Sequence, residues 1–322
     1  MSAVSRPLLD AALVAVRDCM GLQPDERVLI VTDAPLRTIG DALRDAAREL
    51  GADPVLVEII PRRSNGEEPP PEVAALMATA DVVLCPTSKS LTHTDARRAA
   101  SARGARIGTL PGVTEEVMVR CMSADYHQIA ARTERLCRAL EVTDTVRVTA
   151  SAGTDVVMPI RGRQAHASSG LFREKGQWGN LPTGEAYLAP LEGQSSGVVV
   201  VDGSMAGVGL VREPIRITVE HGYATRIEGG DEADRLRALL EPHGRDAYTV
   251  AEFGIGTNDR AILTGVILED EKVMGTIHIA FGDNKSMGGT VRVASHLDGL
   301  VTSPTVWFDD RKIMEHGRLL VE

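Results

Sequence analysis

The first 142 residues alternate apolar runs of strand length with segments whose apolar residues recur at helical spacing. After the first run, for example, Ile39, Leu43 and Ala46 mark one face of a helix. Continuous apolar runs are typical of strands buried on both faces, and helices between them favour a parallel sheet. The pattern therefore predicts a Rossmann-like α/β domain over residues 1–142. Its predicted strands are RVLIVTD (27–33), PVLVEII (54–60), DVVLCPT (81–87) and ARIGTL (105–110).

From residue 143 the sequence changes to short strand-like runs separated by glycine-rich turns. VRVTASAGTDVVMPIRGR indicates a hairpin around residues 152–154, and GVVVVDGSM, IRITVEHGYATRIEG and TIHIAFGDN follow it. One helix is predicted over residues 233–244. We therefore expect an α/β protein in which a parallel-sheet domain precedes a mainly β, metal-binding catalytic domain over residues 143–322.

Charge and composition argue against two classes of partner. The net charge is −10 and aromatic residues make up 3% of the chain. An acidic surface repels phosphate polymers and anionic lipid, and few aromatic rings are present to stack on bases or to form a membrane-interface belt. The N-terminal MSAVSRPLLDAALVAVRDCMG lacks the pattern of a signal peptide or a spanning helix. We expect no nucleic acid and no membrane as partners, and a cytoplasmic location.

Several common catalytic and binding motifs are absent. The loop after the first predicted strand, TDAPLRT, has neither the G-x-G-x-x-G nor the P-loop pattern. Gly254-Ile255-Gly256 lacks the third glycine and a following helix, and the serine of GSMAG (203–207) is misplaced for a nucleophile elbow. The four cysteines are far apart and contain no C-x-x-C, which favours buried free thiols.

Metal-ligand residue types occur in the second half of the chain. In SHLDG, His296 and Asp298 are two residues apart. A strand would therefore place both side chains on one face, with their Cα atoms about 6.6 Å apart. Such a pair also arises by chance at strand ends. In GTIHIAFGD, alternation places His278 on the face opposite the isoleucines. There it is either a metal ligand or a histidine that is hydrogen-bonded to a neighbouring strand. Glu185 and Glu252 lie in apolar or turn-rich surroundings, where a carboxylate needs a partner.

Four motifs, NLPTGEAYLAP, AEFGIGTN, GTIHIAFGDN and SHLDG, occur in an order that resembles the thermophilic metallo-aminopeptidases, the aminopeptidase T family. The resemblance implies an N-terminal α/β domain, a β-rich metal-binding domain, a homodimer, and short-peptide or other small substrates. It also implies two divalent ions per chain, zinc, cobalt or manganese. The ligands that it implies are Glu185, Glu252, His278, His296 and Asp298.

This ligand set suits a dinuclear site, in which the metals generate hydroxide near neutral pH and polarise a scissile carbonyl. Glu185 and Glu252 are also the catalytic candidates, because a glutamate bridges the ions or acts as general base, and the sequence does not distinguish the two. The leading hypothesis is an aminopeptidase that removes N-terminal residues from small peptides through metal-activated water.

The chain departs from that family in two respects. Lys285 replaces the family's tyrosine seven residues after the histidine, so Lys285 is a candidate substrate contact. The short spacing between GDNKSMGG and HLDG instead resembles 2,5-dihydroxypyridine dioxygenase, a mononuclear Fe(II) ring-cleaving enzyme. In that enzyme a histidine corresponds to Glu252, and aromatic residues correspond to Glu185 and His278.

The alternative hypothesis is therefore an Fe(II) dioxygenase acting on a dihydroxypyridine-like aromatic. His278, His296 and Asp298 would supply its two-histidine, one-carboxylate triad. A binding or structural protein of the same fold is a third class. Five ligand-type residues beside apolar strands argue against it, because a buried carboxylate without a partner is costly.

Overall fold

The computed structural model describes residues 4–321. The α-helices in that range are α1 (Arg6–Leu13), α2 (Arg37–Glu49), α3 (Pro71–Met77), α4 (Asp95–Ala102), α5 (Glu115–Cys121), α6 (Tyr126–Glu141), α7 (Asp231–Leu240) and α8 (Ile267–Asp270). A π-helix covers Val14–Cys19, and 3-10 turns cover Ala34–Leu36, Glu241–His243, Arg245–Tyr248 and Lys285–Met287. None of the helices in residues 4–321 is both long and apolar enough to cross a membrane.

The strands fall into three sheets. They are β1 (Val28–Asp33), β2 (Val55–Ile59), β3 (Val82–Cys85), β4 (Arg106–Thr109), β5 (Thr145–Thr149), β6 (Asp155–Pro159), β7 (His166–Ser168), β8 (Trp178–Asn180), β9 (Glu185–Leu188), β10 (Ser196–Val201), β11 (Ser204–Met205), β12 (Gly209–Leu210), β13 (Ile215–Glu220), β14 (Tyr223–Glu228), β15 (Val250–Gly256), β16 (Thr276–Gly282), β17 (His296–Thr302), β18 (Thr305–Phe308), β19 (Arg311–Glu315) and β20 (Arg318–Leu319).

The first compact unit contains the parallel sheet, in the order β2-β1-β3-β4-β8. Strands β1 to β4 coincide with the four predicted runs, and β1, β3 and β4 are buried along their whole length. Two of the helices that follow strands begin at capping threonines: the side chains of Thr94 and Thr114 accept hydrogen bonds from the backbone N–H groups of Arg97 and Val117. The predicted parallel-sheet α/β domain is present.

The chain divides differently from the boundary expected at residue 142. The first unit comprises residues 1–128 and 170–183, and the second comprises residues 129–169 and 184–322. Residues 170–183 belong to the first unit because they include β8, which pairs in parallel with β4. Most of α6 belongs to the second unit, since its apolar residues Leu136, Cys137 and Leu140 lie in the core of that unit.

The second unit contains two antiparallel sheets. The eight-stranded sheet has the order β14-β13-β10-β6-β5-β18-β19-β20, and the seven-stranded sheet has the order β12-β11-β17-β16-β15-β9-β7. One hydrophobic core draws on both, with Val148 and Ile217 from the first sheet and Ile255 and Ile279 from the second. Strands β5 and β6 form the predicted hairpin, and α7 corresponds to the helix predicted over residues 233–244. The mainly β second domain is confirmed.

Candidate metal centre

Four adjacent strands of the seven-stranded sheet carry the five predicted ligand residues. Directly opposed residues of neighbouring strands share a face of a sheet. Glu252 of β15 is level with Ala280 of β16, which in turn is level with Asp298 of β17. By the same register, Glu185 is opposite Gly256, His278 is opposite Gly254, and His296 is opposite Gly282. The strand pairing thus places all five side chains on one face.

The other face of these strands belongs to the hydrophobic core. Ile277, Ile279 and Phe281 of β16 are fully buried in it, as their alternation with His278 predicted. The burial of these side chains fixes the register, because a shift of one residue would turn the apolar side chains away from the core. The core thereby determines where His278 points.

Glycine and a β-bulge shape the polar face. The register between β15 and β16 shifts between Val250 and Glu252, immediately before the carboxylate, and such bulges redirect side chains. A Cβ at position 254 would lie 2.0 Å from Nε2 of His278. Gly254 therefore leaves the space that the imidazole of His278 occupies.

The first potential ligand group consists of Glu185, Glu252 and His278. One ligand atom from each lies within 4.8 Å of the others. Nε2 of His278 is 3.1 Å from Oε1 of Glu252 and 3.5 Å from Oε2 of Glu185. His278 is fully buried, and both its Nδ1 and the Oε2 of Glu185 are buried without a hydrogen-bond partner.

The second potential ligand group consists of Glu252, His296 and Asp298, again within 4.8 Å of one another. Nε2 of His296 is 3.1 Å from Oε2 of Glu252 and 3.5 Å from Oδ1 of Asp298. Glu252 thus belongs to both groups, with one oxygen toward each histidine. The His296 side chain is 30% exposed, so this group can be reached from solvent.

A backbone contact orients His296. Its Nδ1 lies 2.7 Å from the carbonyl oxygen of Asp283. Since a carbonyl oxygen only accepts, Nδ1 carries a hydrogen, and in the neutral ring Nε2 is left with a lone pair toward Glu252 and Asp298. A histidine ligand whose other nitrogen donates to a carbonyl is the usual arrangement at a metal site.

In the metal-free cluster, the carboxylates and the histidines strongly shift one another's pKa values. Burial alone would raise the pKa of Glu252, but hydrogen bonds from His278 and His296 hold it far below its usual value. Burial alone would lower the pKa of His278, but its hydrogen bond with Glu252 and the charges of Glu252, Glu185 and Asp298 raise it to about 9. The pKa of His296 is also raised well above its usual value against the effect of burial, chiefly by Asp298. The carboxylates therefore form a strongly cation-attracting site.

The charged run Glu269–Lys272 is not the solvated loop that its composition indicates. Glu269, Asp270 and Lys272 are buried. Asp270 accepts hydrogen bonds from the backbone N–H groups of Thr264 and Gly265. Glu269 and Asp270 end α8, Glu271 and Lys272 belong to the turn before β16, and the first two carboxylates hold the preceding loop. The apolar Ile267 and Leu268 at its start are the one sequence signal of this burial.

Sequence reasoning also missed two residues beside the ligands. Nζ of Lys272 donates to Oε1 of Glu185 at 2.6 Å and also to Glu271. Burial raises the pKa of Glu271 to about 8, although Lys272 opposes the shift. No local pattern identifies such a pair, because the contact joins residues 87 positions apart.

Lys285, the candidate substrate contact, lies on an exposed 3-10 turn. Its backbone N–H donates to Oδ1 of Asp283 at 3.1 Å. Within residues 4–321, no hydrogen bond or ion pair joins its side chain to the five ligand residues.

An aromatic pair lies beside the ligands on the same sheet. Tyr187 is two residues after Glu185 on β9 and therefore shares its face. The ring of His166, from β7, stacks on the Tyr187 ring with 5.2 Å between centroids. Burial raises the pKa of Tyr187, and the charges of Glu185 and Glu252 raise it further. The face thus offers a ring surface next to the carboxylates.

The donor set fits a divalent metal. Carboxylate oxygens and imidazole nitrogens suit zinc, manganese and Fe(II). Oε2 of Glu185 is buried without a hydrogen bond, at 3.5 Å from Nε2 of His278, so its lone pairs can bind a cation. The two groups share Glu252, so the residues can in principle hold one ion or two. The structure brings Glu252, rather than His278, to His296 and Asp298.

Comparison with known proteins points to one family across nearly the whole chain. The sequence model of the family described as 2,5-dihydroxypyridine 5,6-dioxygenase, NicX, matches residues 9–321. A curated relative, the 2,5-dihydroxypyridine 5,6-dioxygenase of Pseudomonas putida (strain KT2440), is 26% identical over 191 residues. That alignment covers 55% of this chain and 55% of the relative, so the chain spans about half the length of the curated relative that it matches.

Two solved structures share the fold. The 2,5-dihydroxypyridine dioxygenase from Pseudomonas putida KT2440 superposes with a TM-score of 0.85 at 20% identity, covering 98% of this chain and 97% of the other. Wild-type AmpT from Thermus thermophilus superposes with a TM-score of 0.73 at 19% identity, covering 99% of this chain and 100% of the other. At these identities the superpositions establish the fold alone.

Proposed function

Because the chain belongs to the 2,5-dihydroxypyridine 5,6-dioxygenase family, we propose that it is a metal-dependent dioxygenase that opens the ring of a dihydroxypyridine-like aromatic. The observation that carries this proposal is the family match over residues 9–321, which includes every strand of the candidate metal centre. The aminopeptidase that the sequence motifs favoured becomes the second candidate.

The proposed metal ligands are Glu252, His296 and Asp298, the group that is reached from solvent. This set has two carboxylates and one histidine, whereas many Fe(II) oxygenases use two histidines and one carboxylate. A bound Fe(II) ion would supply the redox chemistry through which dioxygen reacts with an electron-rich ring.

Other side chains of the same face can contact the ring and the hydroxyl groups of an aromatic substrate. Tyr187, held by its stack on His166, offers a flat surface against which an aromatic substrate can pack. Oε2 of Glu185 is a buried carboxylate oxygen without a hydrogen-bond partner, so it is placed to accept a proton from a ring hydroxyl. Burial of the carboxylates keeps water away from them and strengthens each such contact.

The second candidate, a metallo-aminopeptidase acting on short peptides, is supported by one specific observation. All five residues of the aminopeptidase pattern lie on one face, in two groups that share Glu252. Two zinc, cobalt or manganese ions there would activate water for peptide hydrolysis. A homodimer and a small substrate remain predictions for either candidate.

The two candidates are separated by testing both reactions on one preparation. Protein stripped of metal is loaded with Fe(II) without oxygen, or with zinc, cobalt or manganese. Oxygen uptake on 2,5-dihydroxypyridine by the Fe(II) form alone supports the dioxygenase. Release of p-nitroaniline from leucyl-p-nitroanilide, with no oxygen uptake, supports the aminopeptidase. Asp298→Asn is the control variant, and we expect it to lose whichever activity is found.

A further inference from the structure

Lys272 places a positive charge against Glu185, a member of the first ligand group. Lys272 is 2% exposed, and its Nζ donates a hydrogen bond to Oε1 of Glu185 at 2.6 Å. Glu271 accepts a second hydrogen bond from the same ammonium. A buried ammonium that is paired with one carboxylate and donates to a second acidic side chain is well satisfied, so the protein holds a cation of its own at this position.

The backbone around Lys272 is also fixed. Its N–H donates to the carbonyl of Glu269 at 2.9 Å, and its carbonyl accepts from the N–H of Asn258 at 2.9 Å. The side chain is therefore anchored at the backbone end and at the ammonium end. Displacing it would leave a charge buried without its partners, which is costly.

The second ligand group contains no such cation. Within residues 4–321, the ion pairs of Asp298 and of Glu252 are with histidines alone. A histidine gives up its proton when a metal binds, whereas a lysine in this setting stays charged. The two groups therefore differ in the positive charge that a divalent ion would meet.

We propose that Lys272 takes the place of a second metal ion, so that the centre holds one divalent ion, bound by Glu252, His296 and Asp298. An ion bound by Glu185 would lie close to the Lys272 ammonium in a low-dielectric interior, where like charges repel strongly. Glu185 is then free of metal and remains available as a proton acceptor. This inference rests on the proposed function, since it presumes that the face binds metal.

The test is the number of bound ions. Metal-free wild-type protein is equilibrated with Mn²⁺, and separately with Zn²⁺, and bound metal per chain is measured by elemental analysis after removal of free ion. We expect one ion per wild-type chain and two per Lys272→Met chain. Lys175→Met makes the same change at an exposed lysine and should bind one ion. Two ions in the wild type would overturn the inference while leaving a metal site intact, and none would overturn the proposed function itself.

A second pair of variants gives a result even where Lys272→Met does not fold. Glu185→Gln keeps the shape of the side chain and an oxygen for Lys272, and Glu252→Gln makes the same change at the shared ligand. We expect Glu185→Gln to keep one ion, with its affinity changed less than about tenfold, and Glu252→Gln to lose it. Loss of the ion in both variants would show that Glu185 is a ligand and would overturn the role given to Lys272.

Discussion

Gly254 lies directly opposite His278 in the two central strands of the candidate metal centre, and a Cβ at position 254 would lie 2.0 Å from Nε2 of the imidazole. The first prediction follows from this overlap. Gly254→Ala should displace the ring, with a cost of about 1 to 3 kcal/mol in the free energy of unfolding, and weaken metal binding roughly 10- to 100-fold through the hydrogen bond to Glu252.

Calorimetry with Mn²⁺ and thermal unfolding measure the two effects. Gly108→Ala is the control, because Gly108 is on β4 of the first unit and a Cβ there would lie 3.0 Å from Leu84. It should change stability and leave the metal affinity as it is. Equal metal affinity in Gly254→Ala and wild type would contradict the role given to the glycine.

His296 and Asp298 should each be required for metal binding. We expect His296→Ala and Asp298→Ala to weaken binding by more than the roughly 10- to 100-fold typical of residues that only support a ligand. His243→Ala removes an exposed histidine from a 3-10 turn and should bind as the wild type does. Elemental analysis of protein purified without added metal provides the measurement, and the same metal content in all four proteins would show that the site lies elsewhere.

Metal binding and the stability of the metal-free protein should depend on pH in opposite directions. The pKa of His278 in the folded chain is about 9, above the value of about 6.5 for an unfolded histidine. Its protonation therefore stabilises the fold fully below pH 6.5, and this contribution is lost as the pH rises through 9. Metal affinity should rise over the same range, because His296 must lose its proton to bind and protonated His278 repels the ion.

Two quantities are measured at several pH values from 6 to about 9.5. They are the midpoint of thermal unfolding of the protein with a chelator present and the affinity of the protein for Mn²⁺. In Glu252→Gln the pKa of His278 should fall, since its main hydrogen-bonding and charged partner is gone. The change of the thermal midpoint with pH should then move to lower pH. A wild-type midpoint that rises between pH 6.5 and 9 would contradict the assigned protonation of His278.

Tyr187 should affect the binding of an aromatic substrate. Removing its ring in Tyr187→Ala should raise KM for 2,5-dihydroxypyridine roughly 2- to 10-fold, the amount expected for one ring contact. Tyr187→Phe keeps the ring that stacks on His166 and should restore the wild-type KM. If both variants bind the substrate as the wild type does, the aromatic pair does not contact it.

Strand β16 shows which features of the fold the sequence predicts. The alternation of His278 with Ile277 and Ile279 is local, so it correctly predicted which side chains enter the core and which face the polar side. In the same way, the apolar runs predicted β1, β3 and β4, because strands buried on both faces leave a continuous signal.

Other features depend on contacts between distant residues. Strand β8 is three residues long and contains a glycine, and it is a strand because it pairs with β4. Lys272 belongs to a charged run that resembles a solvated loop, and its burial depends on Glu185, far away in sequence. The motifs named five residues that the structure brings together on one face, but they carried no information on the lysine that accompanies them.

The most direct test of the central claim is the source of the oxygen in the product. Fe(II)-loaded protein is given 2,5-dihydroxypyridine under oxygen-18 gas, and the product is analysed by mass spectrometry. A ring-opening dioxygenase should place both atoms of the labelled gas in a ring-opened product, and Asp298→Asn should give no such product. Unchanged 2,5-dihydroxypyridine and no oxygen consumption, together with metal-dependent release of p-nitroaniline from leucyl-p-nitroanilide, would contradict the account.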